Sequence, residues 1–444
     1  MQGQKPQQIL YTRNILILIR IVAINPLRAS LTLWQERKPI MLKERRIVLG
    51  VTGGIAAYKA AELVRELVRR GAKVRVIMTD HACQFITPLT FETLSGYPVA
   101  TDLFRMTGNF EIGHIALAEF AEVVVIAPAT ANLIGKLASG IADDLLTTVL
   151  LAATAPVLVC PAMNAKMYAN SIVKENRERL VSHGYAVLEP GYGELACRTE
   201  GQGRLPDALE IVEEIESLLS PKDLQGEQIL VTAGPTQEPF DPVRYITNYS
   251  SGKMGYALAV MARRRGASVT LISGPTELPA PRGVEFIPVK TAIEMRDAVL
   301  GRLEKSTVVI KAAAVADYRP AVCQATKIKK KSGPLTVHLE RNPDIIAAIG
   351  KKKGRRIIVG FAMESDRLVE NARVKLMKKG MDFIVANDLT EAGAGFRADT
   401  NIIRIMDREG GDERFPLMDK LEVAGVILDR VKKVRNNGRI RDER

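Results

Sequence analysis

The 444 residues are 47% apolar and 25% charged, the balance of a folded globular chain and not of a disordered or membrane-embedded one. That length has room for two or three hydrophobic cores. The net charge of +13 raises the question of nucleic acid, but residues 1–40 contribute +5 of it and residues 431–444 contribute +4. With no arginine-rich reading helix and no aromatic stacking platform, no nucleic-acid partner is expected.

Residues 1–40 look foreign to the rest of the chain. Ile15 to Ile24 is an apolar run of about ten residues broken by Arg20, too short to span a bilayer. It has the basic lead-in of a signal peptide, yet no small-residue cleavage site comes after it. Met41 opens a fresh segment, so residues 1–40 read as a poorly ordered or non-native extension, with a signal anchor as the alternative. No other stretch calls for a membrane.

The next domain, residues 41–222, begins with the apolar run Ile47 to Val51, a buried strand that ends in the turn Thr52-Gly53-Gly54. Ala57, Ala60, Ala61, Val64, Leu67 and Val68 then recur at helical spacing, Gly71 stops the helix, and Val74 to Met78 is the next parallel strand. The same grammar returns as strand Ile229 to Thr232, a glycine-rich loop, a helix through Met254–Arg265, Gly266 and strand Val269 to Ile272. Both junctions read Arg-Arg-Gly-Ala-x-Val. Two open parallel-sheet α/β domains are therefore expected, residues 41–222 and 223–430, followed by a basic C-terminal tail at 431–444. Leu209 to Leu219 reads as a helix closing the first domain, and Ser220-Pro221-Lys222-Asp223 as the connector.

A glycine turn between strand and helix lets backbone approach an anion at a positive helix end, although a plain tight turn has the same composition. Neither turn matches G-x-G-x-x-G, and no acidic ribose partner follows, so a nicotinamide dehydrogenase is not expected. The four cysteines, Cys83, Cys160, Cys197 and Cys323, form no C-x-x-C pair, and H-E-x-x-H is absent. Reduced thiols in a cytoplasmic protein are the simplest reading, with Cys83 and Cys160 as core thiols.

Polar groups cluster just past apolar strands, where open α/β sheets place ligands. Ala127-Pro128-Ala129-Thr130-Ala131-Asn132 follows Val123 to Ile126, and Pro161-Ala162-Met163-Asn164 follows Val157 to Cys160. Gly113-His114-Ile115 precedes them. Leu195-Ala196-Cys197-Arg198, with Gly201 and Gly203 behind it, reads as a flexible flap carrying a thiol.

Taken in order over about 150 residues, these motifs resemble those of the flavin-dependent cysteine decarboxylases, which have a Rossmann-like, FMN-binding flavoprotein fold. The resemblance implies that Thr52, Gly53, Gly54, Ile55 and Ala56 cradle the FMN phosphate, with Thr79, Thr130 and Asn132 holding more of the cofactor. The implied substrate is 4′-phosphopantothenoylcysteine, whose thiol is oxidised to a thioaldehyde so that the carboxylate leaves as CO₂. His114 would assist removal of the thiol proton, Asn164 would hold the carboxylate, and Cys197 would protonate the product. One departure stands out. The family has glycine after the flap cysteine where this chain has Arg198, which costs backbone freedom if φ must be positive and sets a cation beside the thiol.

In the second domain, Thr232-Ala233-Gly234-Pro235-Thr236-Gln237-Glu238 leads to Asp241-Pro242-Val243-Arg244-Tyr245-Ile246-Thr247-Asn248. Ser250-Ser251-Gly252-Lys253 then opens a helix as a candidate anion site. Lys311-Ala312-Ala313-Ala314-Val315-Ala316-Asp317, the cluster Lys327 to Lys331, Asn342-Pro343-Asp344-Ile345 and Gly360-Phe361-Ala362 come next. A lysine cluster is commonly a solvated face. The series resembles phosphopantothenate–cysteine ligase, and the fused order resembles the bacterial bifunctional proteins of coenzyme A biosynthesis from Met41 onward.

That resemblance implies substrates 4′-phosphopantothenate, cysteine and CTP, with Mg²⁺ or another divalent cation, and an acyl-cytidylate that the cysteine amine attacks. Lys327 would stabilise developing charge, Asn248 would hold the acyl-cytidylate, and Arg244 would support that site. CTP contacts would fall on Asp317, Lys327, Asn342, Pro343, Asp344, Ile345, Phe361, Lys375 and Lys379, the last two at i, i+4 on one helix face. No metal ligand is named. The resemblance further implies a homo-oligomer of trimeric decarboxylase units and dimeric ligase units. A ligase whose decarboxylase is impaired by Arg198, and a flavin-binding regulatory protein, stand as alternatives.

Overall fold

The computed structural model describes residues 42–104, 113–330, 335–364, 367–388, 395 and 397–442. The extension 1–40, Met41 and Lys331 lie outside them. Strands β1 (Arg46–Val51), β2 (Lys73–Met78), β3 (Val123–Ala129), β4 (Val157–Pro161) and β5 (Ala186–Val187) form a parallel sheet in the order 2-1-3-4-5. Their helices are α1 (Ala57–Arg69), α2 (Asp80–Cys83), α3 (Pro88–Ser95), α4 (Gly113–Phe120), α5 (Ala131–Ala138), α6 (Leu145–Ala152), α7 (Ala165–Tyr168) and α8 (Ser171–Ser182). An antiparallel hairpin, β6 (Gly191–Glu194) and β7 (Glu200–Arg204), precedes α9 (Ala208–Leu219).

Both faces of this sheet are covered, which is why its strands read as unbroken apolar runs. Ile47, Leu49 and Val51 pack with α1 and α9, while Val48, Val124 and Ile126 pack with α5 and α6. Gly50 lacks a side chain because Leu146 fills the place: a Cβ there would lie 2.5 Å from its Cδ1. Cys160 is fully buried and Cys83 is half-buried against the same core.

The second sheet has eight strands. β8 (Gln228–Ala233), β11 (Ser268–Ser273), β12 (Glu285–Pro288), β13 (Val308–Lys311), β16 (Ile357–Glu364) and β17 (Phe383–Asp388) are parallel; β19 (Ile403–Asp407) and β20 (Asp412–Arg414) continue antiparallel, in the order 12-11-8-13-16-17-19-20. Between them lie the hairpin β9 (Gln237–Asp241) and β10 (Arg244–Thr247), the pair β14 (Tyr318–Pro320) and β15 (Leu339–Arg341), and the pair β18 (Thr400–Asn401) and β21 (Met418–Asp419). Helices α10 (Lys253–Arg264), α11 (Ala292–Arg302), α12 (Ile345–Lys351), α13 (Leu368–Lys378) and α14 (Lys420–Asp442) complete the domain.

The expected basic tail needs correcting at its start. α14 runs on through residue 431, where Val431 is buried, and Lys432 and Arg435 pair with Asp223 and Glu227. Apolar spacing holds this part of the chain in the helix, and its cations meet acids near the connector. At that connector, buried Glu216 of α9 pairs with Arg70 from α1 and with Arg264 from α10.

Candidate active sites

In an open sheet the strand order reverses where two neighbouring strands send their connections to opposite sides, leaving a crevice at their carboxyl ends. In the first domain that point lies between β1 and β3. A cavity of about 1730 Å³ opens there, lined by Thr52, Gly53, Gly54, Ile55, Ala56, Thr79, Thr130, Asn132, Asn164 and Cys197. Residues from five loops, far apart in the chain, meet in one place.

Several of these groups also make contacts within the chain that their positions did not suggest. The Thr52 hydroxyl donates to the Pro128 carbonyl at 2.7 Å and accepts from the Thr130 N–H at 3.1 Å, so it ties the loops after β1 and β3 together. Gly53 is small because of His81, whose Cβ would lie 2.2 Å from a Cβ at that position. Thr79 and Thr130 cap α2 and α5 through Ala82 and Leu133. By contrast, α1 starts with no side-chain cap and no acid in its first turn. Its positive end meets the cavity at Ile55 and Ala56, which fits an anion such as a phosphate.

Asn164 and Cys197 come together on the far wall. The Asn164 Nδ2 donates to the Cys197 sulfur at 3.1 Å, while its Oδ1 accepts from the Lys166 N–H and so caps α7. The flap is the β6–β7 hairpin, pinned by the Met163 N–H donating to the Gly203 carbonyl at 3.0 Å. A Cβ on Gly203 would stand 2.1 Å from the Met163 oxygen, so only glycine lets the flap dock. Thr199, to which no motif pointed, lies 3.0 Å from the Cys197 sulfur through its hydroxyl.

Arg198 has φ +60°, the left-handed region that glycine adopts without strain. A cation beside the thiol is expected to favour the thiolate, and the thiol pKa is lowered, but by other groups. The thiol pKa is lowered by the Thr199 hydroxyl first, then by the Thr199 backbone and Asn164, and Arg198 is not among the causes. His114 sits at the start of α4 and lines no part of this cavity.

In the second domain the order reverses between β8 and β13. Asn248 donates to the Ala314 carbonyl at 3.0 Å, placing it beside the loop after β13. Asn342 donates through Nδ2 to the Ala316 carbonyl at 2.9 Å, and its backbone N–H donates to the Asp317 carbonyl. Asp344 caps α12 at Ala347 and pairs with Lys379 at 3.0 Å. Lys375 lies one turn before Lys379, and Lys327 and Asp317 are exposed. Ile345 packs into the core on the α12 and α13 side, whereas Phe361 packs on the α10 side. These two expected nucleotide contacts thus pack on opposite faces of the sheet, and Pro343 is half-buried.

One reading of this half changes, and one residue is added. Lys253 is paired with Asp399 at 2.7 Å and with the Arg397 carbonyl, so its ammonium is held by the protein. The anion-binding feature that remains is the α10 N-terminus itself, opened by Gly252 at φ +78° with no side-chain cap. Lys311, part of its motif but without an expected role, ends β13 half-buried between Gly360 and Thr232 in register. Burial, Lys379 and Lys375 hold its pKa down at about 8, against Asp344 and Asp317. A lysine closing the apolar run Val308 to Ile310 was the signal available.

Together, the folds and strand-end sites define a two-domain α/β protein with an open, mainly parallel sheet and one switch point in each domain. The flavoprotein family model matches residues 35–220, and the DNA/pantothenate metabolism flavoprotein C-terminal domain matches residues 224–434. The coenzyme A biosynthesis bifunctional protein CoaBC of Bacillus subtilis is 49% identical over 395 residues, 88% of this chain and 97% of that protein. That of Escherichia coli K12 is 46% identical over 395 residues, again 88% and 97%. A solved C-terminal domain of such a bifunctional protein is 40% identical, covers 49% of this chain and 99% of its own, with a TM-score of 0.43. This chain belongs to the family of bifunctional coenzyme A biosynthesis proteins, enzymes with a decarboxylase domain followed by a ligase domain. Among the described residues, no helix is long and apolar enough to cross a membrane.

Proposed function

We propose that the chain converts 4′-phosphopantothenate, cysteine and CTP into 4′-phosphopantetheine, by ligation in the second domain and decarboxylation in the first. The observation that carries this reading is the meeting of Asn164 and Cys197 at 3.1 Å in the cavity that the uncapped α1 N-terminus also lines.

In the first domain, the segment Thr52 to Ala56 would hold the phosphate of FMN, and Thr79, Thr130 and Asn132 would hold more of it. When bound, FMN supplies reversible two-electron chemistry, which makes loss of the substrate carboxylate as CO₂ accessible. Asn164 presents amide N–H groups to that carboxylate. The Cys197 thiol, held by Thr199 and Asn164, delivers a proton to the product sulfur-bearing fragment. His114 lies outside the cavity of its own chain, and a homo-oligomer with trimeric decarboxylase units would bring it to a neighbouring copy. Light scattering tests that arrangement and the dimeric ligase units.

In the second domain, the 4′-phosphopantothenate carboxylate oxygen attacks the CTP α-phosphorus and pyrophosphate leaves. The cysteine amine then displaces CMP from the acyl carbon. Lys327 offsets charge developing on the phosphate, Asn248 orients the acyl-cytidylate, and Arg244 supports both. Asp317, Asn342 to Ile345, Phe361, Lys375 and Lys379 are the nucleotide wall. Among the described residues, no group of three or more His, Cys, Asp or Glu is placed to hold a metal, and a divalent ion would come with the triphosphate.

The test is to incubate the purified chain with all three substrates and Mg²⁺ and to follow pyrophosphate and CO₂ separately. Both products are expected, from a protein with a bound-flavin spectrum. Pyrophosphate alone would favour a second reading, in which Arg198 at φ +60° impairs the decarboxylase. Neither product would sink both.

A further inference from the structure

The segment that carries Lys327 is held by one carboxylate. Asp241, at the end of β9, is 1% exposed, and five N–H groups converge on its two oxygens. Oδ1 accepts from the backbone of Val243 at 3.0 Å and Arg244 at 2.8 Å. Oδ2 accepts from Arg244 Nε at 3.0 Å, from Arg244 Nη2, and from the backbone N–H of Ile328 at 3.1 Å. The same Nη2 donates to the Ile328 carbonyl at 2.9 Å. Ile328 is therefore gripped at both its N–H and its C=O, by an acid and the arginine that acid orients. A second tie lies three residues before Lys327, where the Gln324 N–H donates to the Phe240 carbonyl at 3.0 Å.

Lys327 itself is exposed, and among the described residues no hydrogen bond or ion pair fixes where its ammonium stands. Its position is set by the peptide that joins it to Ile328. The hairpin making that grip also carries Arg244 and leads straight into Asn248, which is bonded to the loop after β13. One buried carboxylate thus couples the lysine segment to the asparagine across 84 residues of chain between Arg244 and Ile328.

We propose that Asp241 is a positioning residue for the nucleotide-dependent step, acting by fixing the Lys327–Ile328 peptide against β9. The functional half of this rests on the reading of Lys327 as the residue that offsets phosphate charge. The guanidinium beside Asp241 holds its carboxyl well below the usual carboxylate range, so the grip persists through the whole neutral and mildly acid range.

Asp241→Asn keeps shape and removes the charge. An amide has one acceptor oxygen, and its NH₂ would face the N–H groups of Arg244 and Ile328. Two measurements on the full chain decide the matter. Amide hydrogen exchange of the peptide spanning residues 324–330 is expected to rise at least tenfold in the variant, with the melting temperature as a check on folding. Unchanged exchange would overturn the grip whatever Lys327 does. Pyrophosphate release is then compared in a cycle with Lys327→Ala. Asp241→Asn is expected to cost about tenfold in kcat in the wild-type background and less than twofold when Lys327 is already alanine. An equal cost in both backgrounds would overturn action through Lys327. Raised exchange with a fully active Lys327→Ala would support the grip and refute the charge-offsetting role of Lys327.

Discussion

Asn164 Nδ2 lies 3.1 Å from the Cys197 sulfur and joins two loops 33 residues apart. The sulfur's other neighbour is the Thr199 hydroxyl at 3.0 Å, and together these hydrogen bonds favour the thiolate. Replacing Thr199 by Val removes the largest of the causes that lower the thiol pKa. The pH midpoint for alkylation of Cys197, followed by mass spectrometry, should move upward, and Thr199→Ser should restore it. An unmoved midpoint would show that the hydroxyl does not hold the sulfur.

Arg198 sits in the left-handed region, which costs a non-glycine residue about 1 kcal/mol. Arg198→Gly is expected to be more stable than Arg198→Ala by roughly that amount, read from urea unfolding. If alanine matches glycine, the backbone is not strained there. A CO₂ rate unchanged in the glycine variant would mean that the arginine leaves the flap chemistry intact.

Gly53→Ala forces a Cβ to within 2.2 Å of the His81 Cβ and 2.9 Å of its carbonyl carbon. Backbone must give way, at a cost of about 1–3 kcal/mol. The variant should melt lower and purify with less bound flavin. Full flavin content at the wild-type melting temperature would contradict the packing.

Lys311 gives a pH dependence whose sign is unusual for a lysine. Its pKa in the folded chain, about 8, lies below the ordinary value, so folding disfavours its charged form. Below pH 8 that penalty is fully present; it fades as pH rises through 8 towards the unfolded value. Lys311→Met should therefore stabilise the chain at pH 7, by about 2 kcal/mol, and the gain should shrink above pH 8. Denaturant unfolding at pH 7 and pH 9.5 checks this, and a gain equal at both would rule it out.

Glu216 is 2% exposed between Arg70 and Arg264. Removing it takes one acid from Arg264 and from Arg70, which keeps Glu66 at 2.9 Å, so Glu216→Ala should cost about 1–3 kcal/mol in guanidinium unfolding. A loss under about 1 kcal/mol would show that water replaces the acid readily.

Much of the architecture was legible because parallel strands buried on both faces must be apolar throughout. Ile47 to Val51 and Ile229 to Thr232 could hardly be read otherwise, and the glycines after them marked the strand ends. The grouping of Thr52 to Ala56, Thr130, Asn164 and Cys197 was legible only through resemblance, since no local rule joins loops so far apart. What each of those groups bonds to was not legible at all. Thr52 and Lys253 turned out to be held by Pro128 and Asp399, partners that no spacing predicts.

The two glycine turns, the paired domains and the placing of polar residues past strand ends were determined by sequence alone, because periodicity and backbone sterics act within a few residues. Tertiary structure decided that His114 does not line the cavity of its own chain, that the Thr199 hydroxyl stands 3.0 Å from the Cys197 sulfur, and that Asp241 grips Ile328. Hydrogen bonds and buried charge depend on which atoms the fold brings within about 3 Å. That proximity is a property of the packed chain, and no segment of it carries the information separately.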